Sequence, residues 1–129
     1  MNHDKEKQLK EDFPQIFTDL HDCTPQESCM AWGIGCQDGW YDLIHKLCED
    51  IMAANPAESL KVAQVKEKFG GLRFYTCGPC LSEVLELVSA AEAESFSVCE
   101  VCGSREEVTS EGSWIRSLCK KCRIENEGS

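Results

Sequence analysis

Residues 99–122 read CEVCGSREEVTSEGSWIRSLCKKC, and they decide how the last third of the chain can fold. Cys99 and Cys102 form one Cys-x-x-Cys pair, Cys119 and Cys122 form a second, and 16 residues separate the two. At this spacing two tight turns can bring four thiolates into a tetrahedron around Zn²⁺. Gly103, directly after the first pair, permits the left-handed backbone that such a turn favours. Four thiolates and one Zn²⁺ leave a net negative centre, which Lys120, Lys121 and Arg123 are placed to surround. Two disulfides or four free thiols are the plainer alternatives. No His or carboxylate stands at a further motif position, so the expected zinc is structural, with no coordination position left open for chemistry. The segment is short of apolar side chains, and a metal rather than a hydrophobic core is expected to hold it.

The chain around this segment has 129 residues, enough for one core and a small appendage. Its 23 Asp and Glu against 13 Lys and Arg give a formal net charge of −10. Such a surface lacks the basic footprint that nucleic-acid backbones require, so nucleic acid is disfavoured as a partner. Solubility is the plain reading of the charge. Mimicry of a nucleic acid is the sharper one, and the scattered acids do not favour it. No apolar run approaches the roughly 18 residues of a spanning helix. The opening MNHDKEKQLKEDF has no apolar stretch of the kind a signal peptide needs. The expectation is a cytoplasmic protein with no membrane partner. In a reducing cytoplasm ten cysteines point to metal ligands, redox chemistry or buried thiols rather than disulfides.

The pattern predicts an α+β fold: a small β-hairpin packed with helices over residues 1–96, then a four-cysteine module of zinc-ribbon or treble-clef type over residues 97–129, packed on that core. Residues 4–12 predict a short polar helix ended by Pro14, because a proline drives the residue before it out of the α region. Residues 18–39 show no period and read as an irregular segment that leans on the core through Met30, Trp32 and Ile34. In residues 38–56, DGWYDLIHKLCEDIMAANP, a helical stripe gathers Trp40, Leu43, Ile44, Leu47, Cys48 and Ile51, with Asp38 as N-cap and Pro56 as the stop. Cys48 reads there as a small buried hydrophobe. A second helix, residues 79–95, takes Pro79 in its first turn and buries Leu81, Val84, Leu85, Val88 and Ala91.

Between the helices, LKVAQVKEKF and LRFYT predict two strands joined by a Gly70–Gly71 turn. That register sets Phe69 opposite Leu72, Lys68 opposite Arg73, Glu67 opposite Phe74 and Lys66 opposite Tyr75. One face then carries Val65, Glu67, Phe69, Leu72, Phe74 and Thr76, and the other Lys66, Lys68, Arg73 and Tyr75. Like charges directly opposite destabilise a hairpin unless an anion or an acid compensates. Lys66, Lys68, Arg73 and Tyr75 are therefore the candidate ligand-binding residues, with a solvated or internally paired face as the alternative. Glu67, on the apolar side, needs an edge or a cation.

The stretch LRFYTCGPCLSEVLELV resembles the active-site segment of thioredoxins, where the first cysteine of a Cys-x-x-Cys pair meets a helix N-terminus. The resemblance is local, since the further strands and cis-proline of that fold have no counterpart after Cys80. Cys77 and Cys80 read as a redox pair, as ligands of a second metal with two of Cys23, Cys29, Cys36 and Cys48, or, most plainly, as unligated thiols.

Taken together, DGWYDLIHKLCEDI, QVKEKFGGLRFY, AEAES, CEVCG and WIRSLCKKC, spread over residues 38–122, resemble a family of small uncharacterised bacterial and phage proteins. In that family the glycine-rich hairpin and the terminal four-cysteine site recur together, and CGPC is not part of the pattern. The resemblance implies a phage or prophage setting, and with the basic hairpin face it points to a host protein or a small anionic ligand such as a nucleotide signal as partner and to an anti-defence role. A non-enzymatic, zinc-stabilised binding protein is thus the leading expectation. A thiol-disulfide oxidoreductase using Cys77 and Cys80 and a nucleic-acid-binding zinc ribbon are the alternatives. No paired carboxylates, Ser/His/Asp set or phosphate-binding glycine loop is present. His3, His21 and His45 stand isolated.

Overall fold

The structure, a computed structural model, describes residues 1–17, 34–54, 56, 60–77, 81–111 and 115–127. Helix α1 (His3–Asp12) opens on Asn2, whose side chain accepts the Asp4 amide at 2.7 Å. Asp4 and Glu6 in its first turn and Lys10 in its last complement the helix dipole. Pro14 ends α1 but also begins α2 (Pro14–Phe17), taking the first helical position, where its missing N–H costs nothing. Together they deliver Leu9, Phe13 and Ile16 to the core.

A single 3₁₀ turn, Asp38–Trp40, leads into α3 (Tyr41–Ala53). Trp40, Leu43, Ile44, Leu47, Cys48 and Ile51 are all buried, as their helical spacing requires. Asp38 does not cap α3. Its carboxylate instead accepts the Asn2 amide at 2.7 Å and ties the start of α1 to the 3₁₀ turn. Ile34 joins the core, whereas Met30 and Trp32 lie outside the described residues.

Strands β1 (Lys61–Lys68) and β2 (Gly71–Cys77) form the antiparallel hairpin, but its register differs from the expected one. The pairs are Lys68–Gly71, Glu67–Leu72, Lys66–Arg73, Val65–Phe74 and Gln64–Tyr75. The two turn residues are therefore Phe69 and Gly70, with φ of 53° and 84°, rather than Gly70 and Gly71. Gly71 is needed for space instead, because a β-carbon there would lie 2.5 Å from the Phe96 ring. The Glu67 carboxylate accepts the Gly70 amide at 2.7 Å and so stabilises the turn from within. Moving both partners by one position leaves the faces unchanged, with one exception. Phe69 leaves the apolar face and is 66% exposed.

Both lateral edges of the hairpin are engaged. Gly35 pairs with β1, donating its amide to Val65 O at 2.8 Å and accepting the Glu67 amide at 3.1 Å. On the far side, helix α4 (Ser82–Ser95) presents Ser95 Oγ to the Leu72 amide at 2.8 Å and Glu92 Oε2 to the Phe74 amide at 2.9 Å. Val84, Val88, Ala91 and Ser95 form the buried stripe of α4. Leu81 and Leu85, expected in that stripe, are 48% and 55% exposed. The α4 face set by Ser95 and Glu92 against β2 turns them outward.

Strands β3 (Val108–Glu111) and β4 (Arg116–Cys119) pair antiparallel, and α5 (Lys120–Glu127) follows β4 directly. Among the described residues this unit contributes a small apolar cluster of Leu118 with Cys99, Cys119 and Cys122, flanked by Val101 and Val108. The whole is α+β, with the cysteine unit joined to the hairpin and helix core.

Candidate functional site

Cys99 and Cys102 lie on a turn closed by two backbone hydrogen bonds, from the Cys99 amide to Ser104 O at 2.8 Å and from the Gly103 amide to Cys99 O at 2.9 Å. Gly103 carries φ of 79°, the left-handed conformation expected at that position. Cys119 closes β4, and Cys122 sits in the first turn of α5 with its amide 3.5 Å from Cys119 Sγ. The second pair is thus held by a strand end and a helix start.

The four sulfurs all lie within 4.8 Å of one another, with Cys102 and Cys119 at 3.6 Å. A metal about 2.3 Å from each of four tetrahedral sulfurs sets their separations near ~3.8 Å, so the cluster could hold a metal ion. All four are free of disulfides; Cys102 is exposed and the other three are buried. Among the described residues no other group of histidines, cysteines and carboxylates converges in this way. Burial opposes ionisation of Cys99, but amides of Cys119, Cys102 and Val101 directed at its sulfur prevail and bring its pKa down to about 7. Cys122 is pushed up, first by burial and then by the neighbouring sulfurs. The Cys99 thiolate is therefore favoured, while Cys102 and Cys122 are held toward the protonated form, and a bound metal would displace those protons.

The cysteine turn is seated on the core by groups that sequence reasoning missed. Trp40 Nε1 donates to Val98 O at 2.9 Å, and the Gly39 amide donates to Glu100 O at 2.7 Å. The Glu100 side chain is buried and accepts the Gln37 amide at 3.1 Å, while its Oε1 has no hydrogen-bond partner among the described residues. Burial raises the pKa of Glu100. Ser117 Oγ donates to Gly70 O at 2.5 Å and thereby joins β4 to the hairpin turn. Arg123, next to Cys122, donates to Thr109 O at 2.6 Å and Arg116 O at 3.0 Å, clamping α5 across β3 and β4.

On the outward face of the hairpin the structure brings Lys66, Arg73 and Tyr75 together. Lys66 stands directly opposite Arg73, and its ammonium lies 5.9 Å from the centre of the Tyr75 ring. Lys66 and Arg73 are half-buried and Tyr75 is 44% exposed. Lys68 shares the face but faces Gly71 rather than Arg73, and its ammonium lies 5.6 Å from the Phe69 ring. No acid forms an ion pair with Lys66, Lys68 or Arg73 among the described residues.

Cys77 ends β2 and is disulfide-bonded, which overturns its reading as an unligated thiol. Cys80, Pro79, Cys23 and Cys29 lie outside the described residues. Cys36 and Cys48 are free and buried, and burial pushes Cys36 up to about 12. Among the described residues no helix is long and apolar enough to cross a membrane. Comparison of the chain with protein-family models, with curated proteins and with solved structures gives no match, so the site stands on its own geometry.

Proposed function

We propose that the chain is a non-enzymatic binding module whose four-cysteine centre holds a structural Zn²⁺ and whose hairpin face captures a small phosphate- or carboxylate-bearing ligand. Zinc is supported by the all-thiolate donor set, the sulfur spacing and the order of turn, hairpin and helix, which is that of a treble clef. The observation that carries the ligand reading is Lys66 directly opposite Arg73 with no acid paired to either among the described residues. An anion between them relieves their repulsion. Arg73 supplies a bidentate grip, and the exposed Tyr75 offers an aromatic surface to a base or ring.

Native mass spectrometry of protein purified from cells tests both parts, since one spectrum reports metal mass and retained ligand. Calorimetric titration with pyrophosphate and ATP as probes then isolates the face. Arg73→Glu is expected to keep one zinc and a thermal midpoint within a few degrees while losing the probe. Equal binding by the variant and wild type sinks the ligand reading, and a folded protein free of metal sinks the zinc.

The disulfide at Cys77 favours a second reading, a thiol-disulfide enzyme using Cys77 and Cys80. Insulin reduction in the presence of dithiothreitol separates the two, because only the enzyme loses catalysis in the Cys77→Ser variant.

A further inference from the structure

Phe69 holds φ of 53° and Gly70 φ of 84°, the two left-handed positions of a type I′ turn. Asn-Gly satisfies such a turn without strain, whereas a bulky side chain at the first position is strained. Burial does not compensate, because the Phe69 ring is 66% exposed. Two more large apolar side chains crowd the same tip. A β-carbon on Gly70 would lie 3.0 Å from Ile115 Cγ2, and one on Gly71 would lie 2.5 Å from the Phe96 ring. Ile115 and Phe96 are each 41% exposed. The tip is therefore an aromatic and aliphatic knob with Lys68 at its side, in a chain whose net charge is −10. A strained residue kept exposed at the centre of an apolar patch marks a contact surface.

The complementary surface lies on the same chain. A shallow groove of about 500 Å³ runs between the end of α3 and the start of α4. Ala53, Ala90 and Leu87 give it an apolar floor, and Glu83 and Glu86 stand at its rim with no ion pair among the described residues. The groove runs along α4 from Glu83 to Ala90, and Phe96 lies just past the last residue of the helix, about 9 Å beyond the near end of the groove. None of Phe69, Phe96 and Ile115 lines the groove, so the knob leaves the groove of its own chain open.

We propose that the Phe69 tip docks into the α3–α4 groove of a second copy of this chain, giving a head-to-tail contact. Apolar knob meets apolar floor, and Lys68 meets Glu83 and Glu86. A contact of two different surfaces runs head to tail into a ring or a filament, so association extends with concentration rather than stopping at a two-fold dimer. The surfaces are small, which makes the association weak.

Sedimentation velocity of the 129-residue, metal-loaded chain from roughly 1 µM to 1 mM tests this, a range that spans weak affinities. The weight-average mass is expected to rise with concentration for wild type. Phe69→Asn is expected to stay monomeric while its thermal midpoint holds or rises, since Asn-Gly suits the turn better. Glu83→Lys/Glu86→Lys is likewise expected to be monomeric. A mixture of the two variants retains one intact knob and one intact groove, and is expected to form a one-to-one pair that grows no further. A wild type that is monomeric throughout, a Phe69→Asn protein that associates like wild type, or a mixture that fails to pair each overturns the proposal. A foreign protein lost by Phe69→Asn while wild type remains monomeric also overturns it, in favour of a different occupant of the tip.

Discussion

Gly39 and Cys99 are in backbone contact: a β-carbon built on Gly39 would lie 2.2 Å from the Cys99 carbonyl oxygen and 2.4 Å from that of Glu100. The glycine serves close approach, letting the cysteine turn rest on the Asp38–Trp40 turn. Gly39→Ala must push these backbones apart, at a cost of about 3 kcal/mol. Urea unfolding of the variant measures it. Stability within ~0.5 kcal/mol of wild type would show that the two turns are not seated as described.

Metal removal should act first on the same contact. With a chelator present, hydrogen exchange at Gly39, Cys99 and Glu100 is expected to lose protection before α3 does, because the C-terminal unit has little apolar burial of its own. Cys102→Ser should reproduce the pattern without a chelator. Uniform exchange across α3 and the cysteine unit would mean that the metal does not hold that unit separately.

His45 links two helices, with Nδ1 2.7 Å from Glu49 Oε1 and Nε2 3.0 Å from Asp12 Oδ2. The rings of Phe13 and Tyr41 pack on it. Burial acts to lower its pKa, but the hydrogen bonds to Asp12 and Glu49 outweigh burial and raise it. A raised folded pKa stabilises fully below the unfolded value of about 6.5, and the benefit fades as pH rises through the folded one. The thermal midpoint of wild type should therefore exceed that of His45→Asn most near pH 5.5, with the gap narrowing toward pH 8.5. A gap independent of pH would remove the ionic part of this link.

Ser117→Ala is expected to cost about 1–2 kcal/mol by taking the hydroxyl from the Gly70 carbonyl. The loss should appear equally in denaturant and in heat. A neutral substitution would mean that the hairpin turn and β4 are held together by packing alone.

Periodicity exposed the buried stripe of α3, because every apolar residue of that stripe meets the core. The cysteine spacing likewise foretold the cluster, since each Cys-x-x-Cys turn brings two sulfurs together and the two turns can face one another. The hairpin was legible in its faces but not in its turn. Two adjacent glycines each have a reason to be glycine, one for φ and one for the Phe96 ring, and composition cannot say which is which. Leu85 failed for a related reason: α4 is apolar on more than one side, and its buried face is chosen by Ser95 and Glu92, polar residues that no hydrophobic pattern counts. Glu100 was invisible as a buried group because a carboxylate between two cysteines reads as solvent-facing until Gln37 and Gly39 are placed beside it.

Those two polar residues on α4 also constrain how anything else can attach. An exposed strand edge invites another chain to extend the sheet through its own amides and carbonyls. At Leu72 and Phe74 the outward amides are already taken by Ser95 and Glu92, and at Val65 and Glu67 the opposite edge is taken by Gly35. Strand addition at these positions would first require tearing away the chain's own helix or its Gly35 segment. Recognition at the hairpin is thereby left to side chains, which discriminate among partners, rather than to backbone, which accepts almost any extended peptide. The same closure keeps a strongly paired two-stranded ribbon from templating its own aggregation.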